Sequence, residues 1–205
     1  MNLDVDVRIA AVILAGGRAT RMGGGDKTLL PLAGKPVLQH VIQRLATQVP
    51  LLAVNANADP ARFERFGLPV LADTVPGQPG PLAGVLAAMG WAAELGCSGL
   101  VTVAGDTPFV PADLVQRLVA AGPFALAASP DDAGDLRIHP TIGLWPVALS
   151  DSLHAALLRG ERKVGLWARD NGAVTVRFDT QPDPFFNINT PEDLTLAESR
   201  LARGG

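Results

Sequence analysis

Residues 12–27, Val-Ile-Leu-Ala-Gly-Gly-Arg-Ala-Thr-Arg-Met-Gly-Gly-Gly-Asp-Lys, constrain the fold of this chain more than any other stretch. A branched apolar run over 9–14 stops at Gly16 and Gly17, and the stretch to position 27 holds five glycines, two arginines and a lysine. A short apolar run of this kind predicts a buried strand. Glycines let backbone approach an anion closely, and consecutive N–H groups form an anion-binding concavity. Arg21 and Lys27 add cations that a merely flexible loop has no need of. Two common phosphate loops are excluded. A Walker loop requires Gly-Lys-Ser/Thr, whereas Asp26 stands between Gly25 and Lys27-Thr28. No G-x-G-x-x-G comes after the strand either.

Beyond the loop, Pro36 suits a first helical turn. Val37, Leu38, Val41, Ile42, Leu45 and Val49 then recur at helical spacing, and His40 among them reads as a partly exposed structural histidine. Strands are predicted over 51–54 and 70–72, ending at Asn55 and Asp73, with a short helix over 60–66 between them. A Pro/Gly loop over 74–81 precedes an apolar helix through Leu82, Val85, Leu86 and Met89. The unpaired N–H groups at its start, near Gly80, favour an anion. A fourth strand over 100–104 leads to Gly105-Asp106-Thr107-Pro108, and a helix from about Pro111 should bury Leu114, Val115, Leu118 and Val119. Four alternations of strand and helix predict an α/β chain. The expected form is a single-domain, Rossmann-like three-layer sandwich, with a mostly parallel sheet and helices on both faces.

The second half is less regular: a strand over 124–129, a polar surface loop over 130–137, and a strand from His139 through Trp145. Helices over 150–159 and 164–170 and a strand over 173–178 come next. Thr190 caps a last helix, with Pro191 in its first turn and Glu192 and Asp193 complementing its positive end. Trp91, Trp145 and Trp167 read as core, with stacking on a ligand ring the alternative, and Arg159, Arg162 and Lys163 as a solvated helix end, with a second phosphate site the alternative. No repeat, low-complexity segment or linker divides the chain. One domain is expected over 1–205, with 8–122 binding a nucleotide and 123–200 completing the site of a second substrate.

An apolar content of 48% excludes disorder, and a net charge of −3 without any basic run gives no case for nucleic acid. The lone Cys97 cannot pair within the chain, which suggests a reducing compartment. Asp4 and Asp6 stand where a signal peptide carries bases. The longest uncharged segment, 74–93, is broken by prolines and glycines, so no membrane span is expected. The expected setting is cytoplasmic.

Ligands of an open parallel sheet sit outside the carboxyl ends of its strands. That rule brings the glycine loop, Asn55, Asp73 and Asp106 to one edge. Asp106 is the candidate magnesium (Mg2+) ligand, because one carboxylate with phosphate oxygens and water suffices for this ion; its alternative duty is capping the turn before Pro108. The amide oxygen of Asn189 is a weaker candidate, with capping or turn duty the alternative for both Asn187 and Asn189.

Leu14-Ala15-Gly16-Gly17, Arg21-Met22-Gly23 and Lys27 resemble the signature of nucleotidyltransferases that activate sugars and cofactors. Four further groups occur in order: Asn55-Ala56-Asn57, Gly80-Pro81-Leu82-Ala83-Gly84, Asp106-Thr107-Pro108 and Asn187-Ile188-Asn189-Thr190-Pro191-Glu192-Asp193-Leu194. With His139-Pro140-Thr141 they resemble the molybdenum cofactor guanylyltransferase family over roughly 12–196. The resemblance implies transfer of GMP from GTP to the terminal phosphate of molybdopterin, with pyrophosphate leaving and Mg2+ as cofactor. It implies that Leu14, Ala15, Gly16, Gly17, Lys27, Asn55, Asp73 and Asp106 bind GTP, and that Arg21, Lys27 and Asp106 serve catalysis. Asp106, with Asn189 as the weaker ligand, would hold the metal. Gly80, His139 and Asn187 fall on the molybdopterin side, an ordinary loop histidine being the alternative for His139. With both reactants anionic, positioning and charge neutralisation lower the barrier, and no protein nucleophile is required. The guanine N1–H and N2–H donors suit acceptors such as Asn55 or Asp73. A monomer is expected, meeting GTP, molybdopterin and, transiently, other cofactor-biosynthesis proteins. The rival readings are a cytidylyltransferase for the same cofactor, a sugar-1-phosphate nucleotidyltransferase, and a nucleotide-binding adaptor that does not catalyse.

Overall fold

The computed structural model describes residues 8–16, 26–57, 59–75, 80–131 and 133–203. Gly17 and Arg21, which carry phosphate expectations, lie outside these residues. After β1 (Ile9–Leu14) come a small hairpin, β2 (Pro31–Leu32) and β3 (Lys35–Pro36), and then α1 (Val37–Leu45). Next are β4 (Leu52–Asn55), a 3-10 turn at Pro60–Phe66, β5 (Val70–Leu71) and α2 (Pro81–Glu94). β6 (Gly99–Ala104), α3 (Leu114–Ala121), β7 (Ala125–Pro130) and β8 (Leu136–Pro146) continue the chain. It then forms α4 (Ser150–Leu158), α5 (Val164–Asp170), β9 (Val174–Arg177) and α6 (Pro191–Ala202). No helix among the described residues is long and apolar enough to cross a membrane.

Seven strands form one sheet in the order β5-β4-β1-β6-β8-β7-β9. β1 pairs parallel with both β4 and β6, so Leu14 sits level with Asn55 on one side and Ala104 on the other. β8 alone runs antiparallel, between β6 and β7. The loop expected over 130–137 is in fact a tight turn in which Asp131 Oδ1 accepts from Ala133 N and Asp135 N, both at 2.9 Å. β8 thus starts at Leu136, earlier than expected. Its first three residues, Leu136, Arg137 and Ile138, are all exposed, with Leu136 at 47% and Ile138 at 44%. The acidic turn before it and Arg137 within it make this strand start read as loop.

Successive β1 residues point to opposite faces. Ala11 and Ile13 join the core under α1 and α3, while Ala10 and Val12 join the core with Leu82, Val85 and Met89 of α2 and Trp145. The two cores make three layers. α2 is buried along most of its first ten residues because it lies between the sheet and α4. Trp145 is fully buried, donates from Nε1 to Thr102 Oγ1 at 2.7 Å and stacks on Trp167. Trp91 packs against the same cluster. Val119, expected to be buried, is 37% exposed, since α3 turns its sheet-facing side through Leu114, Val115 and Leu118. His40 Nε2 lies 2.9 Å from Leu32 O and so ties α1 to the hairpin. Thr190 caps α6 in a capping box: its Oγ1 accepts from Asp193 N, and Asp193 Oδ2 accepts from Thr190 N.

Candidate active site

The carboxyl ends of β1, β4 and β6 open onto a cleft of about 750 Å³ whose lining includes Leu14, Gly16, Lys27, Asn55, Asp73, Gly80, Asp106 and Asn187. Backbone bonds hold the strand ends together, Gly105 N donating to Leu14 O and Ala15 N to Asn55 O. A Cβ at Gly105 would come within 3.0 Å of Thr28 Cγ2, so the glycine lets the Lys27–Leu29 turn settle against β6. Asp26, the residue that breaks the Walker pattern, caps this turn. Its Oδ1 accepts from Thr28 N at 3.1 Å and from Thr28 Oγ1 at 2.7 Å, which directs Lys27 into the cleft.

The Lys27 ammonium makes an ion pair with the Asp106 carboxylate and donates to Asn189 Oδ1 at 2.9 Å. Asp106 is 6% exposed, and its backbone oxygen accepts from Ile188 N at 3.0 Å. That bond draws the segment before α6 alongside the end of β6. Asn187 Nδ2 lies 3.4 Å from Asp106 Oδ1, while Asn187 Oδ1 is buried and has no hydrogen-bond partner among the described residues. Turning the Asn187 amide over would set this unpaired oxygen beside the carboxylate, a hard-oxygen pair suited to a magnesium-like cation. Asn189, the expected weaker metal ligand, has its amide oxygen engaged by Lys27; the unspent oxygen belongs to Asn187.

At the β4 side, Asn55 Nδ2 donates to Leu71 O at 3.1 Å and to Asp73 Oδ1 at 3.0 Å. Asn57 Nδ2 donates to Asp73 Oδ2 at 2.7 Å, and Asp73 N returns a bond to Asn57 Oδ1 at 2.8 Å. Sequence reasoning misses Asn57 as a lining residue, although its period-two spacing from Asn55 is a usable signal. It misses the part Gly84 plays too. A Cβ there would lie 2.3 Å from Asn55 Oδ1, so only glycine in α2 leaves Asn55 its place. Gly80, with φ 146°, opens α2 on the cleft wall and provides no side-chain cap for its N–H groups.

His139 departs from expectation. It is a mid-strand residue, 5% exposed, and does not line the cleft. Ser129 Oγ donates its one proton to Asp183 Oδ1 at 3.0 Å, so His139 Nε2, 2.8 Å from the same oxygen, must be the donor to it. The ring packs on Phe185, and Phe185 N donates to Asp183 Oδ1. This cluster fastens the segment that carries Asn187, and it holds His139 off the cleft lining. Burial, against a contrary pull from Asp183 and a reinforcing push from Arg137, lowers the His139 pKa from 6.5 to about 4. The unfolded chain therefore takes a proton near 6.5 that the native ring refuses until about 4. Stability should fall as pH drops through that window, by up to about 1.4 kcal/mol per pH unit from this group. Urea unfolding of wild type and His139→Gln between neutral and acidic pH checks it: the variant should lack that part of the slope, and parallel profiles would refute the assignment.

The cleft offers a lysine, amides and carboxylates, with no serine or cysteine nucleophile among its described residues. This chemistry, at the switch edge of a mostly parallel sheet, defines a nucleotidyltransferase-type α/β protein. The model of the MobA-like NTP transferase domain matches residues 11–173, and the chain belongs to that family. It is 50% identical over 204 residues to a molybdenum cofactor guanylyltransferase of Mesorhizobium japonicum, covering 94% of this chain and 96% of the relative. A molybdenum cofactor guanylyltransferase of Cereibacter sphaeroides is 49% identical over 197 residues, covering 96% and 99%. Among solved structures, molybdopterin-guanine dinucleotide biosynthesis protein A of Archaeoglobus fulgidus superposes with a TM-score of 0.71 at 26% identity, covering 95% of this chain and 99% of that one. A 4-diphosphocytidyl-2C-methyl-D-erythritol synthase of Anaerococcus prevotii superposes equally well, at 0.71, with only 15% identity over 99% of this chain and 100% of that one; that likeness concerns the fold alone.

Proposed function

We propose that this chain transfers GMP from GTP to the terminal phosphate of molybdopterin. An oxygen of that phosphate attacks the α-phosphorus, the bond to the bridging oxygen breaks, and pyrophosphate leaves. The observation that carries this reading is the Lys27–Asp106 ion pair set across one cleft from the Asn55–Asp73 pair. The first pair meets phosphates, the second meets a base. Names of relatives at about half identity over nearly the whole chain support the substrate assignment.

In this reading Lys27, the backbone from Leu14 to Gly17, and Arg21 hold the triphosphate. Asp73 retains free lone pairs beside those taken by Asn55 and Asn57, and these accept from guanine N1–H and N2–H. Gly80 and Asn187 stand on the side from which molybdopterin approaches. Asp106 and the Asn187 amide oxygen are the donors that would hold Mg2+, with phosphate oxygens and water completing the shell. When bound, the ion would neutralise charge on the α-phosphate and the leaving pyrophosphate. The same reading takes the protein to be a cytoplasmic monomer.

Base choice is the test. Calorimetric titration should give GTP at least about tenfold tighter binding than ATP, CTP or UTP, about 1.4 kcal/mol. Tighter binding of CTP would move the assignment to a cytidylyltransferase, and equal affinities would remove it.

A further inference from the structure

A second cavity, of about 830 Å³, shares no lining residue with the active-site cleft. One wall is the chain leaving Asp106, at Phe109 and Pro111; another is the chain approaching Asn187, at Pro182 and Pro184; α1 and α6 close it. Its lining combines these apolar surfaces with three guanidinium groups, from Arg44, Arg200 and Arg203, against one acid, Asp113. Asp113 is exposed and faces Arg117 at 3.9 Å. Among the described residues, no carboxylate lies within ion-pair distance of Arg44, Arg200 or Arg203.

The three differ in setting: Arg44 and Arg200 are half-buried, whereas Arg203 is exposed. Arg44 is half-buried and donates from Nη1 to Val110 O at 3.2 Å. Burial lowers its pKa, and no carboxylate counters the shift. Arg200 donates from Nη1 to Asp183 O at 3.2 Å and lies over the rings of Phe186 and Phe109, with centroids at 4.3 and 5.6 Å. Each guanidinium has five N–H donors, more than the single protein bond of Arg44 or of Arg200 occupies. For Arg44, desolvation without a counter-charge is costly, and a planar fork of donors matches phosphate or carboxylate oxygens in pairs. The volume is that of a small-molecule site.

We propose that this cavity binds a small organic anion, with a phosphate or carboxylate head among the three arginines and an apolar ring against Phe109 and the prolines. Asp106 does not line it, so a ligand here is neither reactant in its reacting position.

Phenyl phosphate is the probe, titrated calorimetrically into the full chain with inorganic phosphate as comparison. Wild type and Lys27→Ala should bind phenyl phosphate alike, about tenfold more tightly than inorganic phosphate. Arg44→Gln/Arg203→Gln should weaken it at least about tenfold. Leu196→Glu, at a lining position 47% exposed, places a carboxylate beside the arginines without touching the core and should abolish binding. Thermal melting confirms that each variant is folded. The proposal is overturned if wild type takes up no phenyl phosphate at millimolar concentration. It is equally overturned if Lys27→Ala loses the binding that the arginine variant keeps, or if Leu196→Glu leaves it intact.

Discussion

Asp106→Ala is expected to lower turnover by about 10³-fold or more, a loss of roughly 4 kcal/mol of transition-state stabilisation. Asp106 lies just beyond β6, where its carboxylate meets the Lys27 ammonium and the Asn187 amide, and its backbone oxygen holds Ile188. The side chain therefore serves the cleft, whereas the backbone does the tethering, and alanine preserves the latter. Some stability will go with it. Lys27, with 17% of its side chain exposed, would keep only its bond to Asn189, and a partly buried cation stripped of its partner is destabilising. Asp106→Asn keeps the shape and removes the charge, so it separates the two effects. Pyrophosphate release at saturating GTP, molybdopterin and magnesium, with melting temperatures alongside, gives the answer. Near-normal turnover in a folded variant at millimolar magnesium would remove Asp106 from the chemistry.

Much of this edge is legible in the residues alone, because the strand-end rule needs only strand positions. β1, β4 and β6 show as short apolar runs, and the residues at or just past their carboxyl ends, Gly16, Asn55 and Asp106, line the cleft. Pairing across long stretches of chain is not legible in this way. Asn57 and Asp73 bond to each other 16 residues apart, and Lys27 meets Asn189 across 162. Neither contact has a local signature. The insertion of β8 between β6 and β7 depends on a hairpin whose turn, with the start of its second strand, looks like a polar loop. The place of His139 is hidden for the same reason: once β8 begins at Leu136, the strand carries His139 inward to Ser129. Gly84 makes sense only in three dimensions, since a Cβ there would collide with the side chain of Asn55 on a different element.

Lys27→Ala and Arg21→Ala should both impair the enzyme, but in different constants. Lys27 is held before any nucleotide arrives: its turn is capped by Asp26, and its ammonium is fixed by Asp106 and Asn189. A cation fixed in the cleft at the outset attracts the triphosphate in the ground state and the transition state alike, and such uniform binding appears in affinity more than in kcat. Lys27→Ala should thus chiefly weaken GTP binding. Arg21 belongs to the glycine-rich stretch six residues earlier. Its guanidinium can bridge two phosphate oxygens at once, which suits charge that grows as the α-phosphate bond breaks. Arg21→Ala should lower kcat by about 10²-fold or more, roughly 2.7 kcal/mol, with a much smaller change in GTP affinity. Single-turnover rates and calorimetric dissociation constants for both variants decide the assignment. An Arg21→Ala enzyme with weakened binding and intact kcat, beside a Lys27→Ala enzyme that binds normally and turns over slowly, would exchange the two roles.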